Sequence, residues 1–349
     1  MDSENLDQLH DLPENPMVTY HVMSFNRLPL LINLLKSFEL CNVYPHYEWI
    51  IADYGSKDGS REFLKELSGK EEKYTVILKD ENEYFDHLGS LNLRPSTQAQ
   101  RLSAIAGKFR NEVRALARGD LLFDLSDDHQ FVRKGNWVRE ALSIYRHRVK
   151  STGVDDACGI TIRAFSFVRH LKKNNTISSR HSTAEGIEYF IYREKAYDVY
   201  SIMKQSTYQK LGPLLQIEYL TDPDMIQSWK SASAFIDFYP DYCDKAKKFG
   251  LKRIAPKYPY VVEFPNDLAS GLAGQDSQNL PIVPLFDDGE MEEEFYGLSR
   301  PVSSDEILWA KGIRGVRPSV GHFRRSCYFK LKKLWCLIKK WSPWIYDYQ

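Results

Sequence analysis

The chain has 349 residues, 43% hydrophobic and 27% charged, which places it among folded globular proteins and excludes wholesale disorder. Lysine plus arginine and aspartate plus glutamate balance at 47 each, so no global basic field argues for nucleic acid as a partner. The five cysteines (Cys41, Cys158, Cys243, Cys327, Cys336) are dispersed with no C-x-x-C pair, which argues against a disulfide framework or a zinc site and for reduced thiols.

Residues 1–16 read as a loose, acidic tail, the opposite of a secretory signal. No run of about 18 apolar residues follows, so the expectation is a cytoplasmic protein with no spanning helix. Val18–Met23 alternates as a strand, Ser24–Arg27 is a loop, and Pro29 suits the first turn of a helix carrying Leu31, Leu35 and Phe38. Glu48–Asp53 is a second strand. It ends in the turn Tyr54–Ser60, from which a helix resumes at Arg61. Tyr74–Leu78 is a third strand, followed by a loop. Leu102, Ala106, Phe109, Val113 and Leu116 mark one face of a long helix that Gly119 stops. Asp120–Leu125 is a fourth strand, running into Ser126-Asp127-Asp128-His129.

The second half reads less clearly. Strands are expected over Cys158–Val168, Ile187–Tyr192 and Tyr258–Phe264. Helices are expected over Ser206–Leu211 and Asp241–Phe249, the latter closed by Gly250. From Asn266 to about Pro301 the chain is loop-like and acidic.

Strands alternating with helices imply an α/β fold with a mostly parallel central sheet and helices on both faces. Ligands gather beyond the carboxyl ends of such strands. That rule brings three polar segments together: Ser24–Arg27, Asp53–Ser60 and Ser126–His129. A leaving diphosphate carries negative charge that a hard cation on one or two carboxylates can neutralise, and Asp127 with Asp128 suit that task. His129 adds an imidazole that Mn2+ tolerates better than Mg2+. Asp53 can accept a hydrogen bond from a base or ribose, and Gly55 permits close approach of backbone to ligand. Taken singly, each has a plainer reading: Asp127-Asp128 as a turn, and Asp58 or Ser60 as a helix cap.

Together, MSFNR (Met23–Arg27), IIADYGSKDGS (Ile50–Ser60) and GKFRNEVRALARGDLLFDLSDDH (Gly107–His129) resemble the three signature blocks of family 2 glycosyltransferases with the GT-A fold, in order and spacing. The resemblance covers about residues 17–137. It implies a nucleoside-diphosphate-sugar donor, UDP-linked in the first instance, a hydroxyl acceptor, and inversion assisted by a divalent cation, Mn2+ or Mg2+. Asp53 would contact the base, with Ser24 and Phe25 lining the same pocket. Arg27, Gly55, Ser56 and Asp127 complete the nucleotide set, and Arg110 with Asn111 would lie beside the donor. Asp128 matches the last carboxylate of the metal motif, whose first carboxylate is Ser126 here. The ligand set is therefore Asp128 alone, Asp127 with Asp128, or Asp128 with His129.

By the same resemblance the base that deprotonates the acceptor is a carboxylate in the second half. Asp241, followed by Ala246 and Gly250, fits that place, with Asp237 as a second candidate and Asp241 also readable as a helix cap. Glu263 ends the late strand and reads as an ordinary loop carboxylate or one approaching the metal or acceptor. Arg110, Arg114 and Arg118 share a helical face that could steer an anionic donor, with a solvated face the preferred reading for Arg114 and Arg118. From His322 on, seven Lys/Arg face one acid, Asp347, with Phe329, Leu331, Leu334, Trp335 and Trp341 interleaved. Residues 323–344 thus suit an interfacial helix drawn to anionic lipid, or one docked on the protein's own core. A lipid-linked glycan or polysaccharide precursor is then a natural acceptor.

The expected layout is a tail (1–16), a nucleotide-sugar-binding half (17–130), an acceptor half (131–265) and an extension with an acidic loop and a basic amphipathic helix (266–349). The competing readings are a non-catalytic nucleotide- or sugar-binding protein of the same fold and a nucleotidyltransferase. The latter would want a Gly-rich, basic phosphate loop after the first strand, which Ser24–Arg27 is not.

Overall fold

The computed structural model describes residues 12–94, 96, 98–131, 133–162, 177–192, 200–217, 223, 226–227, 239–258 and 260–263. The acidic segment 266–301, the basic tail 323–344, His322, Asp237 and the strand expected beyond Ile162 lie outside the described residues.

The first half follows the expected alternation: β1 (Val18–Ser24), α1 (Leu28–Cys41), β2 (Tyr47–Tyr54), α2 (Ser60–Lys70), β3 (Tyr74–Lys79), α3 (Glu81–Ser90), α4 (Gln98–Leu116) and β4 (Leu121–Ser126). The exception is α3, a helix where a loop was expected. The second half contributes β5 (His129–Phe131), α5 (Trp137–Thr152), β6 (Ala157–Ile160), β7 (Ile177–Ser182), β8 (Glu188–Tyr192), β9 (Ile202–Lys204), α6 (Gln205–Leu211), α7 (Tyr239–Lys248), β10 (Lys252–Pro256) and β11 (Val261–Glu263).

Nine strands form one sheet in the order β3-β2-β1-β4-β9-β6-β10-β8-β7, and β11 pairs with β5 in a second. The β3-β2-β1-β4 half is parallel throughout. Beyond it, β9 runs antiparallel between β4 and β6, and β8 and β7 are antiparallel to their neighbours. The sheet is therefore mixed: within the mostly parallel sheet that was expected, the parallel pairs are those of its first half and the β6–β10 pair.

Both faces are covered, as a buried parallel sheet requires. On one face Val18, Tyr20, Val22, Trp49, Ile51, Phe123 and Leu125 pack with Leu31, Leu34 and Phe38 of α1 and Trp137, Val138 and Leu142 of α5. Phe38 meets Tyr20 and Trp49 edge-on, with ring centroids 4.7 and 4.9 Å apart. On the other face Ile50, Ala52 and Tyr54 pack with Ile105, Phe109 and Val113 of α4, and Leu122 and Met203 with residues of α6 and α7. Each such large side chain, fully buried, contributes about 1.5–3 kcal/mol relative to exposure. No helix among the described residues is long and apolar enough to cross a membrane.

Candidate functional site

The strand order changes direction at β1: β2 and β3 lie on one side of it, β4 on the other. A crevice opens beyond the carboxyl ends of the strands at such a switch point. Register aligns those ends. Ser24 pairs with Asp53 across β1–β2, and Met23 pairs with Ser126 across β1–β4. The three polar segments picked out in sequence thus emerge side by side.

Hydrogen bonds then knit the loops. Asn26 adopts a left-handed backbone (φ 52°), tolerable for asparagine, which turns its amide so that its N–H donates to Ser56 Oγ at 2.8 Å. Its side-chain oxygen accepts from Lys57 N–H at 2.7 Å. Asp58 accepts from the Leu28 N–H at the start of α1 (2.8 Å) and from the Ser60 N–H and hydroxyl at the start of α2 (3.2 and 2.6 Å). One carboxylate therefore caps two helices, which leaves the Asp58 and Ser56 side chains holding the loops together.

Within this frame Asp53 is fully buried. Its Oδ1 accepts from the N–H groups of Gly55 and Ser56, both at 3.0 Å, and from Arg61 Nη1 at 3.2 Å. Gly55, at φ 78°, supplies the turn that aims both amides back at the carboxylate. Asp53 Oδ2 and the neighbouring Ser24 Oγ are buried with no hydrogen-bond partner among the described residues. Buried polar atoms are rarely left so, and a carboxylate oxygen beside a hydroxyl offers acceptor and donor to the edge of a polar ligand. Phe25 is half-buried against the α4-side core.

Across the switch point, Asp127 and Asp128 occupy a turn between β4 and β5 and are both nearly buried. Arg27, the residue preceding α1, directs Nη1 to Asp127 Oδ1 at 3.1 Å and to Asp128 Oδ2 at 3.4 Å. Asp127 also accepts from the Phe25 N–H. Burial and the neighbouring Asp128 charge push the Asp127 carboxyl above its ordinary value, against the pull of Arg27. Burial works against the Arg27 charge, but Asp127 and Asp128 outweigh it and keep the guanidinium firmly protonated. Two further bonds fix the turn to α1: Asn33 Nδ2 donates to Gln130 Oε1 (3.1 Å) and Phe131 N–H to Ser37 Oγ (3.1 Å). The β5–β11 pairing sets Glu263 opposite His129, so Glu263 belongs to a strand and not to a loop.

Three expected site residues have other work. His129 is buried on β5, and its Nδ1 accepts from the Ser126 N–H at 3.1 Å. A neutral imidazole so engaged carries its proton on Nε2 and presents no lone pair to a metal there. Asn111 donates to Leu214 O (2.9 Å) and accepts from Leu214 N–H (2.8 Å), so both ends of its amide pin the 212–217 segment to α4. Arg110 is buried with its Nε 3.8 Å from Asp124 Oδ2, beneath the sheet.

That last contact belongs to a group that sequence reading missed. Asp124, fully buried on β4, accepts from His21 Nδ1–H (2.7 Å) and Arg114 Nη2 (3.3 Å). Arg114 Nη1 also donates to Tyr242 Oη at 2.9 Å, and the Tyr242 hydroxyl donates to Gly212 O. Arg114 is therefore no solvated residue: it is 8% exposed, with its guanidinium 3.9 Å from the centroid of the Tyr208 ring. Burial would raise the Asp124 pKa, but the His21 hydrogen bond and the Arg114 and Arg110 charges outweigh it and hold the carboxyl well below the usual range. Burial lowers the His21 pKa and prevails over Asp124, leaving a neutral ring beside one carboxylate and two guanidinium groups. Register carries the signal, since His21 and Asp124 are direct β1–β4 partners, polar positions inside two apolar strands. Arg118, by contrast, is the exposed member of a pair with buried Glu48 (2.5 Å).

Asp241 lies in the first turn of α7, within the helix and not at its cap, and forms an ion pair with Lys245 at 2.8 Å. No hydrogen bond or ion pair among the described residues joins it to Arg27, Asp127 or Asp128.

No protein-family model matches the chain, and no curated protein matches it in sequence. Among solved structures it is similar to TarS of S. aureus, with a TM-score of 0.42 and 10% identity over 74% of this chain and 63% of that one. It is also similar to TarS in complex with UDP-GlcNAc (TM-score 0.41, 10% identity, 88% and 69% covered). A third is the mannosyltransferase PcManGT from Pyrobaculum calidifontis in complex with GDP-Man and Mn2+ (TM-score 0.41, 14% identity, 94% and 86% covered). The first match spans less than two thirds of the TarS chain. The likeness is one of overall α/β architecture and does not reach individual residues.

Proposed function

We propose that the chain transfers a sugar from a nucleoside diphosphate to a hydroxyl acceptor. The observation that carries the reading is the meeting, at the β1–β4 switch point, of the three motif segments whose order resembles the family 2 glycosyltransferases. Within that crevice Asp53 Oδ2 and Ser24 Oγ are buried and without a hydrogen-bond partner among the described residues, which suits recognition of a base. Arg27 stands across the crevice, a planar donor group matched to phosphate oxygens. The Asn26–Ser56 and Asp58 bonds hold these groups in place before any ligand arrives, which reduces the ordering that binding requires. Asp241 stands in this reading as the acceptor's base by its place in the second-half motif.

The test is calorimetric titration of UDP, GDP, CDP and dTDP into wild type and Asp53→Asn, with melting curves to verify folding. One nucleotide should bind, and the substitution should weaken it by about 10–100-fold, the loss of one charge-assisted hydrogen bond. Equal affinity in the variant would remove Asp53 from the site. Binding of none of the four would remove the nucleotide reading.

A further inference from the structure

The resemblance calls for a divalent cation at the Asp127–Asp128 turn, and the residues in place do not fit one as arranged. A hard cation takes oxygen ligands at about 2.0–2.6 Å. Here one guanidinium nitrogen, Arg27 Nη1, already stands between the two carboxylates at 3.1 and 3.4 Å. His129 Nδ1 is engaged by the Ser126 N–H, and Ser126 stands in place of the motif's first carboxylate. Among the described residues no three His, Cys, Asp or Glu side chains come together to hold a metal ion.

The placement of Arg27 is built in. The Leu28 N–H beside it is held by Asp58, and α1 is bonded to the strand after the acidic turn through Asn33–Gln130 and Ser37–Phe131. Both sides of the Arg27–Asp127–Asp128 contact are therefore anchored to the same helix. Arg27 Nη1 alone makes the carboxylate contacts. Its Nε and Nη2 have no partner among the described residues, and the side chain is 28% exposed. A guanidinium has five N–H donors in a fixed fork, so one edge can be held by carboxylates while another receives an anion.

Resting on the nucleotide reading above, we infer that Arg27 supplies the positive charge that a metal would otherwise bring to the diphosphate, so that nucleotide binding does not require a divalent cation. Asp127 and Asp128 are then positioning residues for Arg27, not ligands of an ion.

The experiment has two arms, run on wild type, Arg27→Met and Arg27→Lys, each shown to be folded by its melting curve. In the first, Mn2+ alone is titrated and followed by electron paramagnetic resonance. Wild type should show no stoichiometric site, whereas Arg27→Met, with two carboxylates relieved of their counter-charge, should bind at least about tenfold more tightly. In the second, UDP, GDP, CDP and dTDP are titrated in EDTA and in Mn2+. The nucleotide that binds wild type should do so equally, within about twofold, in both buffers. Arg27→Met should lose about 50-fold in EDTA, with Arg27→Lys between the two.

Stoichiometric, micromolar Mn2+ uptake by wild type would overturn the inference. So would a requirement for Mn2+ in wild-type nucleotide binding, or undiminished binding by Arg27→Met in EDTA. Should wild type bind none of the four in either buffer, the functional reading falls. The Mn2+ arm still decides whether Arg27 excludes a metal from the turn.

Discussion

Asp124→Asn removes one charge and almost no volume from the buried group beneath β4. The lost charge faces Arg114 Nη2 at 3.3 Å and Arg110 Nε at 3.8 Å, both guanidinium groups being nearly buried. At an effective dielectric of about 20, one charge pair near 4 Å is worth about 4 kcal/mol before desolvation is counted. Breaking a buried pair from one side typically costs about 3–5 kcal/mol, because the partner is left charged and buried. Asparagine keeps one oxygen, enough for the His21 bond to Oδ1 or the Arg114 bond to Oδ2 but not for both, so a loss of at least about 3 kcal/mol is expected. For a domain of this size that is a fall in Tm of about 6–12 °C. Urea and thermal unfolding, followed by the fluorescence of the buried Trp49 and Trp137, would measure it. Glu66→Gln, which breaks the exposed Glu66–Lys70 pair, is the control and should leave the curve in place. A curve for Asp124→Asn that also stays in place would refute the reading of this group as a stabilising, ionised network.

Two further outcomes follow from the same architecture. His21 has a folded pKa below its unfolded value of about 6.5, so the unfolded chain takes up the proton first. Its contribution is complete above about pH 6.5 and is lost as pH falls through the window below, with a slope of up to about 1.4 kcal/mol per pH unit. His21→Asn keeps a donor toward Asp124 and removes the titration, so the pH dependence of unfolding between about pH 6.5 and 5 should flatten; an unchanged slope would contradict the assignment. At Gly107 an added Cβ would lie 2.2 Å from the Leu215 carbonyl oxygen, a backbone atom that cannot rotate away. Gly107→Ala should therefore destabilise by about 1–3 kcal/mol and increase protease cleavage within 212–217, and a variant as resistant as wild type would show that α4 and this segment are not in close contact.

The parallel half of the sheet was readable because its strands are buried on both faces and run as apolar segments bounded by polar turns. Val18–Met23, Glu48–Asp53 and Asp120–Leu125 each fall within a residue of the observed β1, β2 and β4. The alignment of Ser24, Asp53 and Ser126 follows from that order once ligands are placed at the strand ends. The buried charges were not readable strand by strand. Asp124 and His21 look like stray polar residues until β1 and β4 are paired, and Arg114 looks solvated until Asp124 is placed beneath it. Helix α5 did carry a local signal that went unread: Asn136 caps it by accepting from the Arg139 N–H at 3.0 Å, and Trp137, Val138, Ala141, Leu142, Tyr145 and Val149 form its buried stripe. The antiparallel turn of the sheet rests on β9, a strand of three residues, too short for any periodicity to announce it.

Hydrogen exchange with and without the best-binding nucleoside diphosphate tests the central claim most directly. If the switch-point crevice is the donor site, amides of 24–28, 53–60 and 126–129 should gain protection together, while β7 and β8 at the far edge of the sheet remain as they were. Protection confined to some other segment, or shared by only one of the three loops, would contradict a nucleotide site built at the β1–β4 switch point.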